Sequence, residues 1–82
     1  MASRKLSHDI LLRSICVTVG NRIRELRLEK GWTQQMLADH AQIERAHLAR
    51  LEEGKREAGL LILEKIATAL GVKTAELLRD CD

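Results

Sequence analysis

The stretch Thr33–Lys55, TQQMLADHAQIERAHLARLEEGK, begins as one amphipathic helix and, after AQIE, resumes as another. Thr33 supplies a hydroxyl suited to an N-cap, and Leu37, Ala38 and Ala41 recur on one face, so the spacing predicts a helix of about two turns ending near His40 or Ala41. Ile43 follows the break and shares a second apolar face with Leu48 and Leu51, running to Glu53 and stopped by Gly54. Two short helices joined this tightly, each with a fixed set of apolar positions, make a helix-turn-helix: the first braces the second, and the second projects an outward face. Ala38 suits such a pair because a close helix crossing leaves little room for a longer side chain.

Helices are also expected on both sides of this motif. Upstream, Val19, Ile23 and Leu26 recur at helical spacing in TVGNRIRELRLEKG, and Gly31 closes the segment as a C-cap residue does. Downstream, the loop GKREAG leads into LLILEKIATALG, where Leu60, Leu63, Ile66, Ala67 and Leu70 mark a fourth helix ended by Gly71; Thr74 is placed to cap a fifth, AELLRD. No proline, Phe or Tyr occurs, and no useful length of Val, Ile or Thr alternates strictly, so the chain has little material for a sheet. Residues 1–17 include the apolar run SHDILLRSICV, read here as an N-terminal extension that lengthens the first helix, forms a separate turn or packs on another subunit; residues 18–82 form the helix-turn-helix domain.

The totals bound what such a domain does. Eighty-two residues support one modest core, so any function sits on one domain's surface. The hydrophobic and charged fractions, 45% and 32%, are those of a soluble globular protein, and neither a membrane span nor a signal peptide is visible, which predicts a cytosolic protein. Cys16 and Cys81 stand apart without a CxxC or a nearby His pair, so no metal site, cofactor or redox motif is implied. The net charge of +2 is unevenly spread: Met1 to Lys30 carries seven basic and three acidic residues, whereas the rest carries seven basic and nine acidic. A basic front section favours approach to phosphate, although a solvated helix face has the same composition.

The run RIRELRLEKGWTQQMLADHAQIERAHLARLEEGK followed by LEKIATALGV resembles the lambda-repressor-like helix-turn-helix regulators of the Cro/repressor type, the XRE family, over about Val19 to Leu78. Several pieces agree in order and spacing: R-x-x-K-G-W-T-Q, LA, L-x-x-L-E-x-G-K and I-A-x-A-L-G-V. The resemblance implies an all-α, compact five-helix domain whose second and third helices are the motif and whose third enters the major groove of double-stranded DNA. It places Glu44, Arg45, Ala46 and Arg50 on the face that reads bases. Thr33 and Gln34 fall at the start of helix 2, where phosphate is contacted, His47 falls near the backbone, and Lys55 and Arg56 follow in the loop. It also implies a partly buried salt bridge between Arg27 and Glu52. One position departs from the pattern: the turn residue that is often glycine is Gln42, so either the turn avoids positive φ or it carries a cost of about 1 kcal/mol.

The chemistry of individual side chains sharpens these expectations. Arg45 has the guanidinium fork that pairs with guanine O6 and N7; Arg50 divides evenly between base and backbone. Glu44 suits a structural first-turn or capping role better than cytosine readout, and Ala46 offers a thymine-methyl contact or simple clearance. His47 with Asp39 or Glu44 lacks any nucleophile or ligand set, so no enzyme is expected. Trp32, the single aromatic residue, precedes the helix-2 cap and is placed to staple it. Leu60 to Leu63 are four consecutive apolar residues, more than one buried face absorbs, and with Leu77 and Leu78 they point to a homodimer surface centred on Leu61 and Ile62, with extra core packing against the N-terminal segment as the alternative. A phage-type repressor, a restriction-modification controller and an antitoxin with a toxin partner all fit this chemistry. A protein-interaction module that lost DNA binding is the alternative of a different class.

Overall fold

The structure is a computed structural model that describes residues 8–79; residues 1–7 of the expected extension, together with Cys81, lie outside the described residues. Five helices follow in order: α1 His8–Glu29, α2 Gln34–Ala41, α3 Arg45–Glu52, α4 Leu60–Leu70 and α5 Thr74–Leu77. No described helix is long and apolar enough to cross a membrane.

α1 runs unbroken through positions 17 and 18, so the apolar run ahead of the motif is the first half of the same helix. Leu11, Arg13, Ser14 and Ile15 are exposed, whereas from Val19 onward one face is buried. The core gathers Val19 and Ile23 of α1, Leu37, Ala38 and Ala41 of α2, Leu48 and Leu51 of α3, four residues of α4, and Leu77 of α5. α2 packs on α3 and α4, α1 packs on α3, and α5 closes against α4. Burial of apolar stripes that no single short helix could hide by itself is what makes helices of eight residues stable here.

Leu77 requires a correction. Expected on the dimer surface, it is fully buried at 0% exposure and completes the core beside Leu70, while its neighbour Leu78 points outward at 39%. The reason is helical geometry: adjacent residues on a helix are about 100° apart, so one of the two must turn in. Ile62 likewise packs partly against the core, and Leu60 and Leu61 are the exposed members of the apolar run, at 77% and 64%. The cap of α5 is also shifted. Lys73 occupies the N-cap position with no side-chain cap bond, and Thr74 is the first helical residue. Arg22 ties α1 to α5 by donating to Glu76 Oε1 at 2.9 Å, and that hydrogen bond holds the Glu76 carboxyl below its ordinary pKa.

The α1–α3 contact is unusually close. A Cβ on Gly20 would collide with the carbonyl oxygen of Leu51 and lie 2.9 Å from that of Glu52, so only glycine lets the backbone of α3 approach α1 here. One turn earlier on α1, the Val17 side chain and backbone fill the space a Cβ on Gly54 would need. The C-terminal end of α3 is therefore seated on Val17 and Gly20.

Candidate nucleic-acid interface

α2 starts from Thr33, whose hydroxyl accepts a hydrogen bond from the Met36 N–H at 3.1 Å. Trp32 is half-buried against the core and stacks on His40, with ring centroids 4.3 Å apart. Lys30 Nζ lies 5.1 Å from the centre of the same indole, so the front of α2 is fixed by an aromatic pair capped with a cation.

The turn between the two helices adopts the positive-φ alternative. Gln42 has φ 60° and ψ 45°, its N–H bonds the Asp39 carbonyl, and the Ile43 N–H reaches back to the Ala38 carbonyl at 3.0 Å. These two bonds close the end of α2 and aim the chain into α3. Because an L side chain in this region is strained and glycine is not, Gln42→Gly is expected to stabilise the domain by about 0.5–1 kcal/mol, net of glycine's extra freedom in the unfolded chain. An unchanged or lowered urea midpoint would show that the glutamine side chain contributes something the turn needs.

α3 begins after Glu44, whose backbone is extended and whose side chain makes no cap hydrogen bond. The structural capping role expected of this carboxylate is thus not taken up by its side chain, which is exposed together with Arg45, Ala46 and Arg50. Leu48, Leu51 and Glu52 form the opposite, buried side of the same helix. The half-buried His47 lies between them, and its Nε2 is a buried polar atom without a hydrogen-bond partner among the described residues. Such an atom costs about 1–3 kcal/mol until something meets it.

Glu52 is the anchor of the site. At 2% exposure it receives Arg27 as a two-point fork, Nε to Oε2 at 2.7 Å and Nη2 to Oε1 at 2.9 Å. The remaining nitrogen of the same guanidinium donates to the Trp32 carbonyl at 2.8 Å, so one arginine joins α1, the entry to α2 and the end of α3. Arg24 adds a longer contact, with Nη2 3.4 Å from the Glu52 carbonyl oxygen.

Gln34 extends this network outward. Its amide donates to Glu52 Oε1 at 3.0 Å, and its own oxygen receives Arg45 Nη1 at 3.4 Å. The side chain expected at a phosphate is therefore half-buried and committed to the protein through one N–H; an amide carries two, so one donor remains. A continuous path of hydrogen bonds runs from Arg27 through Glu52 and Gln34 to the exposed guanidinium of Arg45. The family resemblance pairs Arg27 with Glu52 but leaves Gln34 and Arg45 as separate candidates; the structure brings all four together. Lys55 is exposed beyond α3 and within 3.7 Å of Glu53, whereas Arg56 lines an apolar groove further round the molecule. No group of His, Cys, Asp or Glu with metal-holding geometry occurs among the described residues.

A braced pair of helices with an outward-facing, arginine-bearing second helix defines a helix-turn-helix DNA-binding domain. A helix-turn-helix family model matches residues 23–77, and the chain belongs to that family, the Cro/repressor-type (XRE) transcriptional regulators, which are not enzymes. It is 33% identical over 72 residues to the control protein C.MunI of a Mycoplasma species, covering 87% of this chain and 97% of that protein. It is 38% identical over 61 residues to the immunity repressor of Bacillus phage phi105, covering 74% of this chain but 42% of the repressor. Among solved structures, the restriction-modification controller protein C.AhdI from Aeromonas hydrophila superposes with a TM-score of 0.74 at 39% identity, over 76% of this chain and 94% of that one.

Proposed function

We propose that this regulator acts as a homodimer whose two α3 helices enter successive major grooves of an inverted-repeat operator, about one helical turn apart. The observation that carries the reading is the division of α3 into a buried edge clamped to α1 and an exposed edge of Glu44, Arg45, Ala46 and Arg50. Arg45 reads a base through its fork, Arg50 reads a base or holds the backbone, and Thr33, the free donor of Gln34, His47 and Lys55 meet phosphate. Two half-sites are needed because one helix of eight residues reads too few bases for useful specificity.

Of the settings that fit this chemistry, control of a restriction-modification operon has the best support. The chain matches nearly the whole of two controllers, but less than half of the phage immunity repressor.

Selection of bound duplexes from a random pool, then titration of the best site at two salt concentrations, tests the proposal. An inverted repeat with steep salt dependence is the expected result. Recovery of no sequence by the folded protein would overturn it in favour of a protein-interaction module. On the selected site, Arg45→Ala should cost about 1–3 kcal/mol and relax preference at one position of each half-site. Lys55→Ala should instead weaken all sequences alike and reduce the salt slope by about 1 for each phosphate that Lys55 neutralises. The same base preference before and after Arg45→Ala would remove Arg45 from the reading face.

A further inference from the structure

The Glu52 carboxylate is already served by Arg27 and Gln34, whose donors lie between 2.7 and 3.0 Å from its oxygens. A second guanidinium nevertheless stands beside it. Arg24 Nε is 3.6 Å from Glu52 Oε1 and its Nη2 is 3.4 Å from the Glu52 carbonyl oxygen, both longer than the about 2.7–2.9 Å of a charge-assisted hydrogen bond. Two arginines on one carboxylate leave a surplus positive charge, and Arg24 carries it, since its side chain is 44% exposed against 10% for Arg27. Among the described residues no other carboxylate takes that charge up: Glu25 faces Arg22, and Glu53 faces Lys55.

The stem of Arg24 is fixed while its head is loose. Gly20, one turn earlier on α1, lies against the backbone of α3, and Arg27, about one turn later, is locked to Glu52. Arg24 shares that face of α1, so its Cα is held beside the end of α3. Its Nε and the Gln34 amide nitrogen approach the same oxygen, Glu52 Oε1, at 3.6 and 3.0 Å, which lets a single tetrahedral anion meet both. Gln34 keeps one N–H free for it, and a guanidinium presents the planar fork that phosphate oxygens match. Gln34 also receives Arg45 Nη1 at 3.4 Å, so this spot adjoins the arginine assigned to base reading.

We infer that Arg24 and the free N–H of Gln34 form the seat of one DNA backbone phosphate in each half-site, with the buried Glu52 as its floor. The inference rests on the DNA-binding reading above and adds to it a contact from α1, outside the helix-turn-helix. Arg24 leaves its long contacts with Glu52 at little cost, because Arg27 alone neutralises that carboxylate, and turns its fork to the phosphate oxygens. A phosphate carries no sequence information, so Arg24 sets register and not base preference. Seat and reader both hang from Glu52, which fixes the distance between the phosphate that is held and the base that Arg45 reads.

Methylphosphonate scanning of the selected operator tests it: the phosphates of a half-site are replaced one at a time by the neutral methylphosphonate, and affinity is measured for the parent, Arg24→Ala and Arg24→Lys. One replacement should weaken the parent about tenfold and Arg24→Ala far less. Arg24→Ala itself should bind all sequences about tenfold more weakly, with a salt slope smaller by about 1. Its urea midpoint should not move, since the contacts it loses in the free protein are long and half-exposed. Arg24→Lys keeps the charge without the fork, so it should keep the salt slope and recover part of the affinity. Parent affinity and salt slope in Arg24→Ala would overturn the seat and leave the DNA-binding reading standing. Weaker binding with the parent's penalty retained at every phosphate would also overturn it, because Arg24 would then act only by supporting Glu52. A parent that binds no duplex would overturn both.

Discussion

Glu52→Ala is expected to lower the stability of the domain by about 3–5 kcal/mol, the largest effect of any single carboxylate among the described residues. The destabilisation comes less from the missing attraction than from what remains, an arginine that is 9% exposed and has no counter-charge. Domains of this size are stable by about 5–15 kcal/mol in total, so the variant sits near the edge of folding at 37 °C. Urea unfolding should show a fall in midpoint with the slope preserved. Removing both charges with Arg27→Met/Glu52→Leu should recover most of the stability, because an apolar pair of similar volume replaces a desolvated ion pair. It should not recover DNA affinity, because Gln34 and Arg45 then lack the group that orients them. Full recovery of both would show that the network has no part in positioning Arg45.

Gly20→Ala is the second large effect, and its direction opposes the usual rule. Inside a helix, alanine is favoured over glycine by about 1 kcal/mol, so an exposed position would gain. Here the added methyl meets the backbone carbonyls of Leu51 and Glu52, which cannot rotate aside as a side chain does. The helices must separate, at a net cost of about 3 kcal/mol, the upper end for overpacking. Because the displaced element is α3, DNA affinity should fall even in the fraction that remains folded. A variant as stable as the parent, with the same operator affinity, would show that α1 and α3 have slack at their crossing.

These two positions also show where sequence reading succeeds and where it stops. The family resemblance pairs Arg27 with Glu52, and the apolar spacing finds Leu37, Ala38, Leu48 and Leu51 because each lies on a stripe of period 3.6. Gly20 escapes both. A close approach between two helices is a property of both, and neither helix alone records it; the available signal is a glycine well inside a helical pattern, which needs a reason. Leu77 and Leu78 are not separable in the sequence because a helix of four residues has too few positions to define a face. Gln34 is legible as a residue at the start of α2, but the reach of its amide to Glu52 depends on how α3 crosses behind it. At Gln42 the residue type leaves two turn conformations open, and the hydrogen bonds to Ala38 and Asp39 select one.

The two-edged construction of α3 bears on how such a protein changes its target over time. Leu48, Leu51 and Glu52 hold the helix in place, and Glu44, Ala46 and Arg50 take no part in that. Substitutions at those three outer positions are therefore nearly free of folding consequences, and a lineage can drift from one operator to another through folded intermediates. Arg45 is the exception, since it is tied through Gln34 to the interior. On the proposed reading, operator preference at the base assigned to Arg45 should diverge most slowly among proteins built on this frame.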